Sequence, residues 1–272
     1  MRLKTLITLV AFQALLAVAA LSAKATLFLD SQGNDARQEM LSSEMPWSSI
    51  GLVTANSRGW DSLCTGTLIG KRLVLTAAHC VINDNDDPKT NTLIKKIIFQ
   101  PNYKNGMSLD SSTVTDVVVG TMDFDNNGGD DWAILVLKDD LGTKYGTMDV
   151  ESTSKLTLPI SVQTAGYWND YEKGKTADLI PSCQILDTAE EGSEEVTVYS
   201  NDCSGGEGDS GSPVFHLENG RYTIASVYVS GAVTEDGKEI VTQTYSFETA
   251  DTGVMTDALI KAVIDAKLKY EN

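Results

Sequence analysis

Cys64-Thr-Gly-Thr-Leu-Ile-Gly-Lys-Arg-Leu-Val-Leu-Thr-Ala-Ala-His79-Cys80 is the stretch from which the fold is best read. Thr65–Ile69 and Leu73–Ala77 are short, apolar and β-branched-rich, as strands are, and Gly70-Lys71 between them signals a turn. The segment predicts a hairpin whose second strand runs directly into His79. The two cysteines flank this hairpin, so a bridge between them would hold the His-bearing turn in place. A lone histidine is more often structural than catalytic. This one sits beside a cysteine in a small-residue turn at the end of an apolar strand, which favours chemistry.

Outward from the hairpin the same texture recurs. Ser49–Thr54, Lys95–Phe99, Val114–Gly120, Trp132–Leu137, Leu156–Ile160 and Ser182–Leu186 are short apolar or alternating runs. Glu195–Tyr199, Pro213–His216, Thr223–Val229 and Glu239–Phe247 continue the series. Clusters of Gly, Asn and Asp separate them, with no Pro/Ser-rich linker and no repeat. The pattern predicts one all-β body, a barrel or a sandwich. Helical spacing is confined to the C-terminus, where Leu259, Ile260, Val263, Ile264 and Leu268 recur at intervals of three to four. Thr256 or Asp257 would cap that helix, and Lys267 and Lys269 would complement its dipole.

Composition narrows the function classes. Of 272 residues, 42% are hydrophobic, enough for a core, which excludes global disorder. A formal charge of −17 argues against a nucleic-acid partner, because phosphate would be repelled. Two histidines and four cysteines without a CxxC pair leave little material for a zinc site. Met1 to Ala25 has Arg2 and Lys4, an apolar run from Leu6 to Leu21, and Ala23-Lys24-Ala25 as a cleavage site. These are the parts of a secretory signal peptide, and the run is short for a bilayer span of about 20 residues. Its removal takes three positive charges, so the mature chain is still more acidic. Export predicts an oxidising compartment, extracellular or periplasmic, in which cysteines pair. No membrane association is expected after cleavage.

Two further motifs carry candidate chemistry. Gly128-Gly-Asp-Asp131-Trp-Ala-Ile-Leu-Val-Leu137 sets a carboxylate just before a fully apolar strand. A buried carboxylate needs a hydrogen-bond donor, and an imidazole N–H is a natural one; Asp130 is a rival to Asp131 for that place. Gly205-Gly-Glu-Gly208-Asp209-Ser210-Gly211-Ser-Pro-Val-Phe215 surrounds a serine with glycines. They allow tight turns, leave the hydroxyl unobstructed, and let backbone N–H groups converge as an oxyanion hole requires.

The order His79, Asp131, Ser210 resembles that of chymotrypsin-like serine proteases, not that of subtilisins or α/β-hydrolases. The three motifs look like that family's Thr-Ala-Ala-His-Cys, Asp-x-Ala-Ile/Leu and Gly-Asp-Ser-Gly signatures. Gly33-Asn-Asp-Ala-Arg37, Pro46-Trp47 and Gly211-Ser-Pro-Val-Phe215 are similar to the secreted bacterial glutamyl-endopeptidase-like branch. The resemblance implies two packed six-stranded antiparallel β-barrels followed by a C-terminal helix. Residues 26–40 would form a mature N-terminal segment or short propeptide, and 41–272 the protease domain, with the barrels meeting near 140–160. It implies Ser210 as nucleophile, His79 as base, Asp131 as the base's partner, and the N–H groups of Gly208 and Ser210 as oxyanion hole.

Four cysteines allow three connectivities. The hairpin and the resemblance favour Cys64–Cys80, leaving Cys183–Cys203. By the same resemblance Ser204 lies at the base of the specificity pocket, with Tyr228, Ser230 and Gly231 along the substrate strand and Gln243 nearby. Ser204 is not the Asp that would select Arg or Lys, and Tyr228 stands where glutamate-specific relatives place a histidine. A neutral or apolar preference is expected, with His216 structural. Asp209 matches the aspartate that pairs with a freed N-terminus in trypsin-like zymogens, yet the Ile/Val-Val/Ile-Gly-Gly start is absent.

Asp123-Phe-Asp125-Asn-Asn127-Gly128 imitates a calcium loop, but Ile134 stands where its bidentate Glu belongs. Asn83-Asp-Asn-Asp-Asp87 follows the His turn, where some relatives bind calcium. Both read as solvated loops, so no cofactor is expected and structural calcium is the minor alternative. The expected partners are protein or peptide substrates, and the expected state is a monomer. A glutamyl endopeptidase and a catalytically silent binding module on a protease scaffold stay open as alternatives.

Overall fold

The structure, a computed structural model, describes residues 37–57, 60–85, 87–150, 157–169, 172–190, 197–201, 203, 205–230 and 251–271. The expected signal segment, the Glu239–Phe247 strand, Ser204, Gly231 and Gln243 lie outside these residues. The chain runs β1 (Gln38–Glu39), β2 (Ile50–Ser57), β3 (Trp60–Leu68), β4 (Leu73–Thr76), β5 (Ile82–Asn83), β6 (Thr92–Leu93), β7 (Lys96–Pro101), β8 (Ser112–Val119) and β9 (Ala133–Leu137). It continues through α1 (Gly142–Tyr145), β10 (Asp149–Val150), β11 (Ile160–Gly166), β12 (Asp178–Glu190), β13 (Thr197–Asn201), β14 (Pro213–Glu218), β15 (Arg221–Ser230), β16 (Asp251–Val254) and α2 (Asp257–Tyr270).

The hairpin read first from the sequence is β3–β4, paired Thr67 with Leu75 and Leu68 with Val74. β4 and β9 are buried at every position because both of their faces meet protein, which explains their unbroken apolar sequences. They pair antiparallel, Leu75 opposite Ile134. β7 shows the other pattern, with Ile97, Phe99 and Pro101 buried between more exposed neighbours, as one dry face demands. The closed barrel β2-β3-β4-β9-β8-β7 results, and closure removes the strand edges that an open sheet would present.

β12, β11, β14, β15, β16 and β13 form the second body, and a β12–β13 pairing brings the path back on itself. β1 joins its rim through Gln38–Leu179 and Glu39–Asp178, and Met40 N donates to Ala177 O at 2.8 Å. Residues 38–40 are thus built into this body. α2 begins at Thr256, whose side chain accepts from Leu259 N at 3.1 Å, so Thr256 and not Asp257 is the cap.

Two readings change. The strand expected at Leu156–Ile160 starts at Ile160 and runs on to Gly166, because Pro159 has no N–H to give a ladder. On α2, Leu259, Val263 and Ala266 are buried, whereas Ile264 and Leu268 face outward at 54% and 64% exposure. A period of about 3.6 residues puts 259, 263 and 266 on one face and turns 264 away from it. Among the described residues no helix is long and apolar enough to cross a membrane.

Candidate active site

β4 ends at Thr76, and the chain folds through Ala77 and Ala78 into a short 3-10 turn, His79–Val81. The Cys64–Cys80 bridge ties this turn to β3. Asp131 caps the approach to β9, its carboxylate only 8% exposed. One oxygen, Oδ1, accepts the backbone N–H of His79 at 2.9 Å, and Oδ2 lies 2.6 Å from the ring Nδ1. A carboxylate only accepts, so Nδ1 carries the proton and Nε2 of the neutral ring keeps a lone pair. Asp130, the rival, instead lies 3.3 Å from Trp132 Nε1 as its acceptor. Phe124 packs a tilted ring against the imidazole at 5.8 Å between centroids.

Ser210 sits in the turn before β14. Ser212 N donates to Asp209 O, and Gly211 N and Tyr228 N bond across to Tyr228 O and Ser212 O, all at 2.8–2.9 Å. Gly208 and Gly211 hold φ of 103° and 85°, which L side chains rarely adopt. A Cβ on Gly208 would run into Tyr167 O, and one on Gly211 into Thr65 O and Thr76 Oγ1. Among the described residues the N–H groups of Asp209, Gly211 and Ser212 have acceptors, whereas those of Gly208 and Ser210, which flank the serine turn, have none.

The two bodies meet through Thr65, on β3. Its N–H donates to Ser210 O at 2.8 Å, its hydroxyl donates to Gly208 O at 3.2 Å, and the same oxygen accepts from Tyr167 N at 3.0 Å. Thr76 Oγ1 donates to Thr65 O at 2.7 Å. Thr65 and Thr76, like Phe124, escape motif reading. Their one sequence signal is polarity: a fully buried threonine inside an otherwise apolar strand must have a hydrogen-bond partner.

His79 and Ser210 line one pocket of about 320 Å³, together with Leu63, the Cys64–Cys80 bridge, Asn169 and Glu207. Tyr228 is buried, with its ring against the backbone of Gly205, and Ser230 is exposed at the end of β15. His216, on β14, pairs with Thr223 of β15 and is not among the residues lining this pocket. Cys183–Cys203 ties β12 to the segment that leads to Ser210. Donor atoms of Cys64, His79 and Cys80 cluster within 4.8 Å, but both sulfurs are spent in the bridge and offer no thiolate to a metal. In the two calcium-like loops Asp123 Oδ1 accepts from Asn126 Nδ2, and Asp87 Oδ1 from Lys89 N. Asn91 Nδ2 joins the loops by donating to Met122 O at 2.9 Å.

Two antiparallel β bodies with His79 and Ser210 at their junction define a protein of the chymotrypsin-like fold class. The family model described as Trypsin matches residues 38–251, and the chain belongs to the trypsin family. Serine protease 23 of Rattus norvegicus is 27% identical over 173 residues, 56% of this chain and 42% of that protein, so the match spans less than half of the relative. Among solved structures, a Glu endopeptidase matches with a TM-score of 0.66 at 21% identity, over 86% of this chain and 97% of its own. Protease Anisep from Arthrobacter nicotinovorans matches with a TM-score of 0.60 at 18% identity, over 87% of this chain and all of its own. These likenesses are of fold.

Proposed function

We propose that the protein is a secreted serine endopeptidase that hydrolyses peptide bonds through an acyl-enzyme. The observation that carries this is the Asp131 carboxylate holding His79 at both its backbone N–H and its ring Nδ1, in the pocket that Ser210 lines. Nε2 of His79 takes the hydroxyl proton as Ser210 Oγ attacks the carbonyl, and then delivers it to the departing amine. Asp131 fixes the tautomer and stabilises the imidazolium. The unclaimed N–H groups of Gly208 and Ser210 receive the oxyanion. Water then attacks the ester and restores the enzyme.

Secretion rests on the Met1–Ala25 signal pattern and the two bridges. A neutral residue on the acyl side fits the Tyr228 ring, which brings neither a fixed charge nor the imidazole that glutamate selection uses. The test is labelling by a fluorophosphonate probe together with peptide cleavage. Wild type should be labelled at Ser210 and cleave. Ser210→Ala should lose both, by about four to six orders of magnitude in kcat, with its fold intact. Undiminished cleavage by Ser210→Ala would overturn the proposal.

A further inference from the structure

Among the described residues lining the pocket that His79 and Ser210 share, Glu207 is the one fixed charge. Asn169 N donates to Glu207 O at 2.7 Å and fixes its backbone at the rim. The side chain is exposed, and among the described residues it forms no ion pair and no side-chain hydrogen bond. Leu63 and the Cys64–Cys80 bridge, which are apolar, line the same pocket. Tyr228 borders Gly205 and does not line this pocket. The acyl side of a substrate is expected along Tyr228, outside this pocket, which leaves the pocket to the rest of the peptide.

We propose that this pocket binds the leaving-group portion of the peptide through a lysine or arginine side chain directed at Glu207. The inference rests on the peptidase reading above. Basic side chains suit such a surface because their methylenes cover apolar groups while the charged end stays wet. Here the stem lies over Leu63 and the bridge, and the ammonium or guanidinium reaches the carboxylate. An acidic residue at the same place meets Glu207 as a like charge, and an alanine gains nothing.

The experiment uses fluorogenic peptides that share one acyl side and carry Lys, Ala or Glu at the first two positions after the scissile bond. Wild type should show kcat/KM in the order Lys, Ala, Glu, with about tenfold between the extremes. The spread should shrink at 1 M salt, where the screening length falls to about 3 Å. Glu207→Lys should reverse the order. Equal rates for the three peptides, or an unreversed order in Glu207→Lys, would overturn the inference while leaving Ser210 labelled by the probe. Failure of the probe to label wild type would remove the peptidase reading and this inference with it.

Discussion

The closed barrel and the second β body supply the candidate site in different ways. In the first, His79 and Asp131 are joined by two direct bonds, and both sit at the ends of fully buried, mutually paired strands, β4 and β9. That pair is self-sufficient. In the second, the Ser210 turn is held partly within its own body, through Tyr228 of β15, and partly by Thr65 of the first barrel. The proposed base is preset, and the proposed nucleophile is placed by the junction. The distance between them is therefore set by how the two bodies dock as well as by either body's interior.

The largest test breaks the self-sufficient half. Asp131→Asn keeps the shape but can present its amide to Nδ1, trapping the wrong tautomer; kcat should fall by about 10⁴ with little change in KM. Next comes the dependent half. Gly208→Ala puts a Cβ against Tyr167 O at positive φ. It should displace an oxyanion amide and cost about 10²–10³ in kcat.

Thr65→Val should separate the two halves. It strips the Gly208 carbonyl and the Tyr167 amide of a partner, for about 1–3 kcal/mol of stability by urea unfolding. We expect about a tenfold loss in kcat, largely restored by Thr65→Ser, with the His79 Nδ1 proton resonance unmoved. A shifted resonance would show that the halves are not independent.

The smallest effect concerns α2. The Tyr270 hydroxyl donates to the Asp116 carboxylate on β8 and holds it below the ordinary carboxylate range, with Lys269 assisting at 3.7 Å. A depressed pKa stabilises the fold above the unfolded value and loses that contribution as pH falls through the folded one. Tyr270→Phe should therefore lower stability slightly at neutral pH, by under about 1 kcal/mol, and the difference should begin to shrink below about pH 4 and be lost as Asp116 protonates in the folded protein.

Much of this was legible before any coordinates. The alternating and apolar runs mark most strands, and the glycine signature around Ser210 marks its turn, because these depend on local chemistry. Asp131 could not be separated from Asp130 by sequence, since only the position of His79 distinguishes them. Thr65 was hidden for a similar reason: its bonds go to residues more than a hundred positions away. Ile264 and Leu268 share the helical spacing of Leu259 and Val263 yet face outward, because spacing alone overestimates how wide a helix's buried face is. Pro159 delayed a strand that its apolar neighbours suggested.

Glu271, just beyond α2, accepts from the amide of Arg72, across a sequence separation of 199, and its carboxylate overlies Gly70. That is the tip of the β3–β4 hairpin. α2 leaves the second body at β16 and ends on the first barrel, so it acts as a tether across the molecule. The cost of closing so long a loop grows only slowly with its length, so a contact across this separation is not heavily penalised. The hairpin bearing His79 is local in sequence, but its tip is clamped by a residue from the far end of the described chain. Trimming α2 should therefore loosen the barrel it did not grow from.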